Sequence, residues 1–302
     1  MSRVAVVGVV GRTNAGKSTL VNALVGEKVS IVSPVEQTTR NTVRGIVADP
    51  RGQLVLLDTP GLHKAVGELG RLLNRMARRS AAGCDITCVV FDASQEPRME
   101  DVGWMSRVAG EAHEKVLFVL NKSDRRPFHA DAFRAAWAEA SAGAEGAPSP
   151  VWVECCATAP GGAAPVLDAL FDMAEEGDRL FDDDIVTDYP RKLAIADSIR
   201  EKFLARLHQE VPHELGVLVR NVKEDGGRWS VDAEALVNRP SQKPIVIGKR
   251  AETVKAVRKS AERELSEVFG VKVSIELWVR VAPGWMKDRQ LLAEMGYLGE
   301  LV

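Results

Sequence analysis

A chain of 302 residues, 45% of them hydrophobic, can bury a sizeable core and exceeds the length of one typical domain, so two domains are expected. Its formal charge of −2 hides any local patch, and the four cysteines at 84, 88, 155 and 156 match neither a zinc or redox C-x-x-C pair nor a disulfide framework, which points to thiols in a reducing compartment. No run of 18 apolar residues occurs, so no membrane span is expected. Only ten residues precede the glycine-rich loop at Gly11, too few for a secretory leader, so a cytosolic protein is expected.

Val4 to Val10 is an apolar run that reads as a buried strand, and Lys17 to Leu24 reads as an amphipathic helix ending near Gly26. Between them stands G-x-x-x-x-G-K-S, with Gly11, Gly16, Lys17 and Ser18. Glycines let the backbone turn its N–H groups toward a phosphate chain. The lysine adds a mobile positive charge, the serine a hydroxyl for magnesium, and the helix directs its positive end at the same phosphates. This is a P-loop, which specifies a phosphate site and leaves base and reaction open.

Residues 36–40 show neither helical nor strand periodicity and read as a loop. Thr42 to Ala48 and Leu54 to Leu57 read as strands joined by the turn Asp49 to Gly52, the second delivering Asp58 to its C-terminal end. Asp58-Thr59-Pro60-Gly61 alone is an ordinary turn. About forty residues behind a P-loop, its aspartate is placed to hold magnesium through water and its glycine N–H to meet a terminal phosphate.

Leu69 to Ala82 reads as a helix with Arg71, Arg75, Arg78 and Arg79 set in an apolar period, a pattern usual for a solvated face. Ile86 to Phe91 and Lys115 to Leu120 read as buried strands flanking a helix, Asp101 to Glu111. The second ends on Asn121-Lys122-Ser123-Asp124. A carboxylate there accepts from N1–H and the 2-amino group of guanine, which adenine lacks, so adenine would leave a buried acceptor unpaired. A helix from Phe133, a strand Val151 to Cys155 and a helix Val166 to Glu176 complete an alternating series. That series argues for an α/β domain with a mostly parallel sheet, helices on both faces and the ligand at the strand C-termini.

The acidic LFDDDIVTDYP, 180–190, breaks the periodicity and reads as a linker between a domain at 1–179 and another at 191–302. The second begins with a helix, Arg191 to Leu207. A strand pair around Glu224 to Gly227 follows, then a short apolar strand at Pro244 to Ile247. Gly248-Lys249-Arg250-Ala251 opens a helix running to about Phe269, and a strand, Lys272 to Val281, comes after it. Between 243 and 263 stand seven basic residues (Lys243, Lys249, Arg250, Lys255, Arg258, Lys259, Arg263) against Glu252 and Glu262. Charge alone suits a solvated helix. An apolar segment, a glycine-led basic turn and a helix together are what a KH domain uses to clamp single-stranded RNA.

With these residues in view the chain resembles the Era family of bacterial GTPases over nearly its full length. GRTNAGKS, QTTR, DTPGL and NKSD resemble the family's G1 to G4 motifs. KPIVIGKRAETVKAVRKSAERELSEVFGVKVSIELWVRV and GWMKDRQLLAEMGY resemble its KH domain and C-terminal segment. The resemblance implies a Ras-like GTPase domain joined to a smaller α+β KH domain of type II, acting as a monomer on the 3′ end of 16S rRNA in assembly of the 30S subunit. It also implies cytoplasmic location with peripheral contact at the inner face of the membrane.

By the same resemblance Asn14, Ala15, Gly16, Lys17, Ser18 and Thr19 hold the phosphates of GTP or GDP. Ser18, Thr39 and, through water, Asp58 hold Mg2+, with 33–44 as the first switch and Asp58 and Gly61 opening the second. Asn121, Lys122, Asp124, Cys156 and Ala157 surround guanine, with the Ala157 N–H directed at O6. Catalysis falls to Asn14, Lys17, Thr39 and Gly61, and RNA contact to Ile247, Gly248, Lys249, Arg250, Ala251, Lys255 and Arg258.

Three departures bear on function. Leu62 stands where Ras-type enzymes carry the glutamine that orients water, so slow hydrolysis is expected, on the order of 10⁻⁴ to 10⁻² s⁻¹. Asn14 resembles the ligand of a K+ ion that replaces an arginine finger. Cys156 stands where serine is usual, a weaker donor, and Ala251 replaces the second glycine of the KH loop, where a positive φ would strain it. Two other readings are weighed beside this one. The first is a guanine-nucleotide-sensing adaptor whose second domain docks on protein or membrane, and the second is a P-loop ATPase, which NKSD disfavours.

Overall fold

A computed structural model of the chain describes residues 2–33, 35, 38–61, 67–111, 113 and 115–298. It divides into two compact units, Met1–Ser30 with Thr39–Asp188, and Ile31–Thr38 with Tyr189–Val302.

In the first unit, strands β1 (Arg3–Val10), β2 (Val43–Asp49), β3 (Gly52–Asp58), β4 (Ile86–Asp92), β5 (Val116–Asn121) and β6 (Val151–Glu154) form one sheet in the order β2-β3-β1-β4-β5-β6. β2 is antiparallel to β3 and the other neighbours are parallel. A two-residue strand, β7 (Glu175–Glu176), adds antiparallel to the start of β1.

The apolar runs are continuous because alternate side chains enter two different cores. Val7 and Val9, Cys88 and Val90, Leu117 and Val119 face one core. It is closed by Leu20, Val21 and Leu24 of α1 (Lys17–Val25) and Val166 and Leu170 of α5 (Ala164–Met173). Val89, Phe91, Phe118 and Leu120 face the other. Ala77 of α2 (Gly67–Ala82), Trp104 and Val108 of α3 (Met99–Gly110) and Phe133 of α4 (Ala130–Ser141) cover it. All the parallel strands thus end on one edge, where the loops after β1, β3, β5 and β6 meet.

The stretch expected as a linker is attached to this unit through residue 188. Gln53 accepts the N–H groups of Leu180 and Phe181, Ile46 N–H donates to the Val186 carbonyl at 2.9 Å, and Arg44 pairs with Asp188 at 3.0 Å. The stretch read as a linker therefore supplies backbone partners to β2 and β3 and one charge partner, Asp188, to β2.

The second unit has a three-stranded sheet in the order β10-β9-β8, with β8 (Gly216–Asp225) antiparallel and β10 (Lys272–Val281) parallel to β9 (Arg228–Val237). Gly226 and Gly227, at φ 50° and 80°, make the β8–β9 turn, in which both central residues need positive φ. Helices α6 (Arg191–Leu204) and α9 (Glu252–Phe269) supply Ile199, Phe203, Val257, Ala261 and Leu265 to a core against Val217, Val231, Ala233 and Ile275. Segment 31–38 belongs to this unit: the Val32 N–H donates to Glu201 Oε1 at 2.8 Å, and the buried Arg200 donates to the Thr38 carbonyl.

Two stretches differ from expectation: Glu175–Glu176, expected as the end of a helix, form β7, because α5 stops at Met173. Pro244 to Ile247, expected as a strand, lies in a helix, α8 (Gln242–Ile247), which follows a short helix, α7 (Val211–Glu214). Four apolar residues carry no resolvable period. Pro244 sits in the first turn, where its missing N–H costs nothing. Val246 is buried in the core and Ile245 is left exposed, so the segment buries one helical stripe. The C-terminal stretch forms a 3-10 turn at Trp285–Lys287 and a helix, α10 (Arg289–Glu294), capped by Asp288, which accepts from the N–H groups of Gln290 and Leu291.

Candidate guanine-nucleotide site and glycine-led basic loop

The loop after β1 needs its glycines for two separate reasons. Gly11, at φ 145°, passes so close to β4 that a Cβ would lie 2.4 Å from the Val90 carbonyl oxygen. At Gly16, φ 100°, a Cβ would lie 2.3 Å from Asn121 Nδ2. The loop is therefore pressed between β4 and the Asn121 side chain, with Gly16 at the N-terminal end of α1.

Lys17 is buried, and its Nζ donates to the Arg12 carbonyl at 3.0 Å. Burial pushes its pKa down to about 8, against the opposing attraction of Asp58. Ser18 Oγ lies 3.0 Å from Thr39 Oγ1. Asp58, at the end of β3, is fully buried, and neither carboxylate oxygen has a hydrogen-bond partner among the described residues. Burial holds its pKa above the ordinary aspartate value. Two hydroxyls and an orphaned buried carboxylate around a P-loop form an all-oxygen donor set that fits a hard divalent cation such as magnesium. Gly61 crosses the P-loop, where a Cβ would come within 2.8 Å of the Thr13 nitrogen and 2.9 Å of Lys17 Nζ. Leu62 lies outside the described residues, as do Gln37 of QTTR and positions 34 and 36 of the first switch.

Asn121 ties three loops together. Its Nδ2 donates to the Ala15 carbonyl at 3.0 Å, and its Oδ1 accepts the N–H of Lys122 at 2.8 Å and of Ala157 at 3.1 Å. The Ala157 N–H, expected to meet guanine O6, is thus engaged by Asn121, because a buried amide oxygen must find donors. Asp124 is exposed at the loop rim, and Cys156 Sγ donates to its Oδ1 at 3.1 Å. The thiol, expected to be a weaker donor than serine, thus bonds the carboxylate.

Sequence reasoning missed a charge cluster beneath this loop. Arg12, 5% exposed, pairs with Asp92 at 3.3 Å and with Asp101 at 3.1 Å; Lys122 Nζ binds Asp92 at 2.6 Å and the Asn14 carbonyl at 3.0 Å. Burial opposes ionisation of Asp92, but the bonds from Lys122 and Ser94 and the Arg12 charge outweigh it and hold its pKa below the ordinary value. The available signal was positional: Asp92 ends β4 as Asn121 ends β5, paired in register with it. Asn14 itself is exposed with φ 61°.

In the second unit Gly248 adopts φ 75°, where a Cβ would lie 2.3 Å from Thr253 Oγ1. Arg250 and Ala251 follow at φ 52° and 61°, so the position where alanine replaces glycine is left-handed. Lys249, Arg250, Lys255 and Arg258 are exposed and Ile247 is half-buried. Lys255 Nζ donates to the Arg250 carbonyl at 3.3 Å, and Arg258 faces Glu262 at 3.8 Å.

A phosphate-binding loop on the first strand, a magnesium-compatible oxygen cluster and an Asn-Lys-x-Asp loop beside it define a guanine-nucleotide-binding P-loop protein, here carrying a second α+β module. Residues 6–122 match the family described as 50S ribosome-binding GTPase, and 210–286 match the KH domain family. GTPase Era of Xanthomonas oryzae pv. oryzae is 37% identical, with 96% of each chain covered. GTPase Era of Leuconostoc citreum is 35% identical over 96% of this chain and 95% of that relative. A crystal structure of Era in complex with MgGDPNP and nucleotides 1506-1542 of 16S ribosomal RNA superposes with TM-score 0.90 at 30% identity, covering 98% of this chain and 99% of that one. Aquifex aeolicus Era, as a point variant bound to GDP and AlF4−, superposes with TM-score 0.89 at 29% identity and the same coverage. The chain belongs to the Era GTPase family.

Proposed function

We propose that this protein is a GTP-hydrolysing switch in the cytoplasm that binds the 3′ end of 16S rRNA through its KH domain and assists assembly of the small ribosomal subunit. The observation that carries the nucleotide half is the convergence of buried Lys17, the Ser18–Thr39 hydroxyl pair and orphaned Asp58 at the P-loop, with Asp124 at the rim of the neighbouring loop. Lys17 and the N–H groups of 14–19 hold the phosphates. Ser18, Thr39 and, through water, Asp58 hold magnesium, which neutralises phosphate charge when bound. Asp124, steadied by Cys156, reads the guanine edge, while Asn121 and Lys122 shape the loop. Gly61 presents its backbone to the terminal phosphate, since nothing larger fits above Thr13 and Lys17. Asn14 is the residue assigned to a potassium ion that supplies the missing catalytic charge.

The RNA half rests on the Gly248–Ala251 loop, whose Lys249 and Arg250 are exposed, on its basic flank, and on the relative solved with 16S rRNA nucleotides. Backbone N–H groups and the Lys249 and Arg250 side chains take the phosphates, with Lys255 and Arg258 extending the positive surface along α9. A fluorescence titration of a short RNA carrying the 16S 3′-end sequence, against GTP- and GDP-loaded protein, tests the whole reading. Affinity is expected to depend on the nucleotide, to weaken with salt, and to fall when Lys249 and Arg250 are replaced by Glu. RNA affinity indifferent to nucleotide and to both substitutions would leave the adaptor reading standing.

A further inference from the structure

The proposed nucleotide and RNA sites leave one charged surface without a role. Helix α2 packs on β1 and buries Leu69, Leu73 and Ala77, at 5%, 0% and 0% exposure. Away from that stripe, Arg71, Arg75 and Arg78 are exposed at successive turns. Residues 71–78 of α2 include no acidic side chain, Glu68 standing in the first turn ahead of them, whereas α3 mixes Glu100, Asp101 and Arg107, and α4 mixes Asp131, Arg134 and Glu139. Many arginines elsewhere are paired, as in Arg51–Asp49, Arg107–Glu111, Arg179–Asp183 and Arg220–Glu234. None of the ion pairs among the described residues involves Arg71, Arg75 or Arg78. In a chain of net charge −2 this is a local, single-sign stripe.

We infer that the arginine face of α2 is a second RNA contact, one that takes the phosphate backbone of a helical RNA segment; the inference extends the reading of this protein as an RNA-binding GTPase. From 71 to 78 a helix rises about 10 Å, a length over which one strand of a duplex presents about three phosphates. Guanidinium forks match phosphate oxygens in pairs, and arginine is the residue suited to that geometry. A membrane-surface helix needs large apolar side chains beside its cations, and none of the exposed large apolar side chains among the described residues lies on α2. The contact carries no base reading, so it adds affinity and orientation on a substrate whose sequence is selected elsewhere.

The experiment uses the full chain and a variant with Arg71→Gln, Arg75→Gln and Arg78→Gln. Two probes are titrated between 50 and 200 mM salt: a short single strand with the 16S 3′-end sequence and an RNA hairpin of about one helical turn. For the hairpin the wild type is expected to show a log K against log salt slope steeper by about 2.7, three phosphates at 0.9 each, so that this rise in salt costs it about fortyfold more affinity than it costs the variant. The short strand is expected to bind both proteins alike, and an Arg→Lys triple variant to restore most of the hairpin slope. GDP affinity and the thermal midpoint establish that the variants are folded. Identical hairpin slopes for wild type and variant overturn the inference. So does loss of binding to anionic phospholipid vesicles, or to a poly-glutamate probe, with hairpin binding unchanged. Failure of the wild type on the short strand overturns the KH reading instead, while the hairpin slopes still decide the role of α2.

Discussion

Asp92 is the residue whose importance the fold reveals most directly. It sits 3% exposed between the Arg12 guanidinium and the Lys122 ammonium, and Lys122 in turn holds the Asn14 carbonyl of the phosphate loop. Replacing it with Asn removes a charge-assisted bond of about 1.5 to 3 kcal/mol from the side chain that joins the base loop to the phosphate loop. GDP release from Asp92→Asn is therefore expected to quicken by about tenfold or more, read by displacement of a fluorescent GDP analogue. Asn14, on the same strut, is the residue proposed to hold a potassium ion. Hydrolysis is expected to be faster in potassium than in sodium and to lose that preference in Asn14→Ala; equal turnover of the unmodified protein in the two salts would refute the assignment. Ala251 holds a left-handed φ of 61° that glycine adopts freely. Ala251→Gly is accordingly expected to raise the urea midpoint of the second unit by an amount equivalent to about 1 kcal/mol, the usual cost of a left-handed non-glycine residue.

At the scale of elements, α6 and α9 are joined by a charge relay as well as by their apolar stripe. Lys202 donates to both Glu201 and Glu264, and Ser198 donates to Glu264 at 3.1 Å. Burial lowers the pKa of Lys202, but its two carboxylate partners outweigh that and leave it above the ordinary lysine value of 10.5. A lysine whose folded pKa is raised favours the fold while it is protonated. Its contribution is therefore complete below 10.5 and disappears as pH climbs through the higher folded value. Stability of the wild type is expected to drop over that alkaline interval, and Lys202→Met to flatten the drop, followed by urea midpoints from pH 9 upward. The same helix shows where local reading falls short. Glu201 and Arg200 are strongly polar, yet both are buried and bound to the backbone of 31–38. Nothing in the α6 sequence distinguishes a buried arginine from a solvated one. Likewise α8, with four consecutive apolar residues, is helical because one stripe, at Val246, meets the core; propensity alone favoured a strand.

For the molecule as a whole, the division between what was legible and what was not follows the range of the interactions. The P-loop, DTPG and NKSD are local motifs whose chemistry resides in residue type and spacing, and the β1-to-α5 alternation follows from side chains pointing alternately into two cores. Sequence by itself therefore determined the α/β class, the alternating order of the elements from β1 to α5, the phosphate and guanine chemistry and the glycine-led basic loop. The partner of each polar side chain was settled only by tertiary structure. Asp92 came to serve Arg12 and Lys122, the Ala157 N–H was taken by Asn121, the backbone of 180–188 lay along β2 and β3, and three arginines of α2 were left without an ion pair among the described residues. The pairings among them join residues 30 to 144 positions apart, and a buried charge or amide accepts whichever partner the packed chain brings within about 3 Å, a selection no local period encodes.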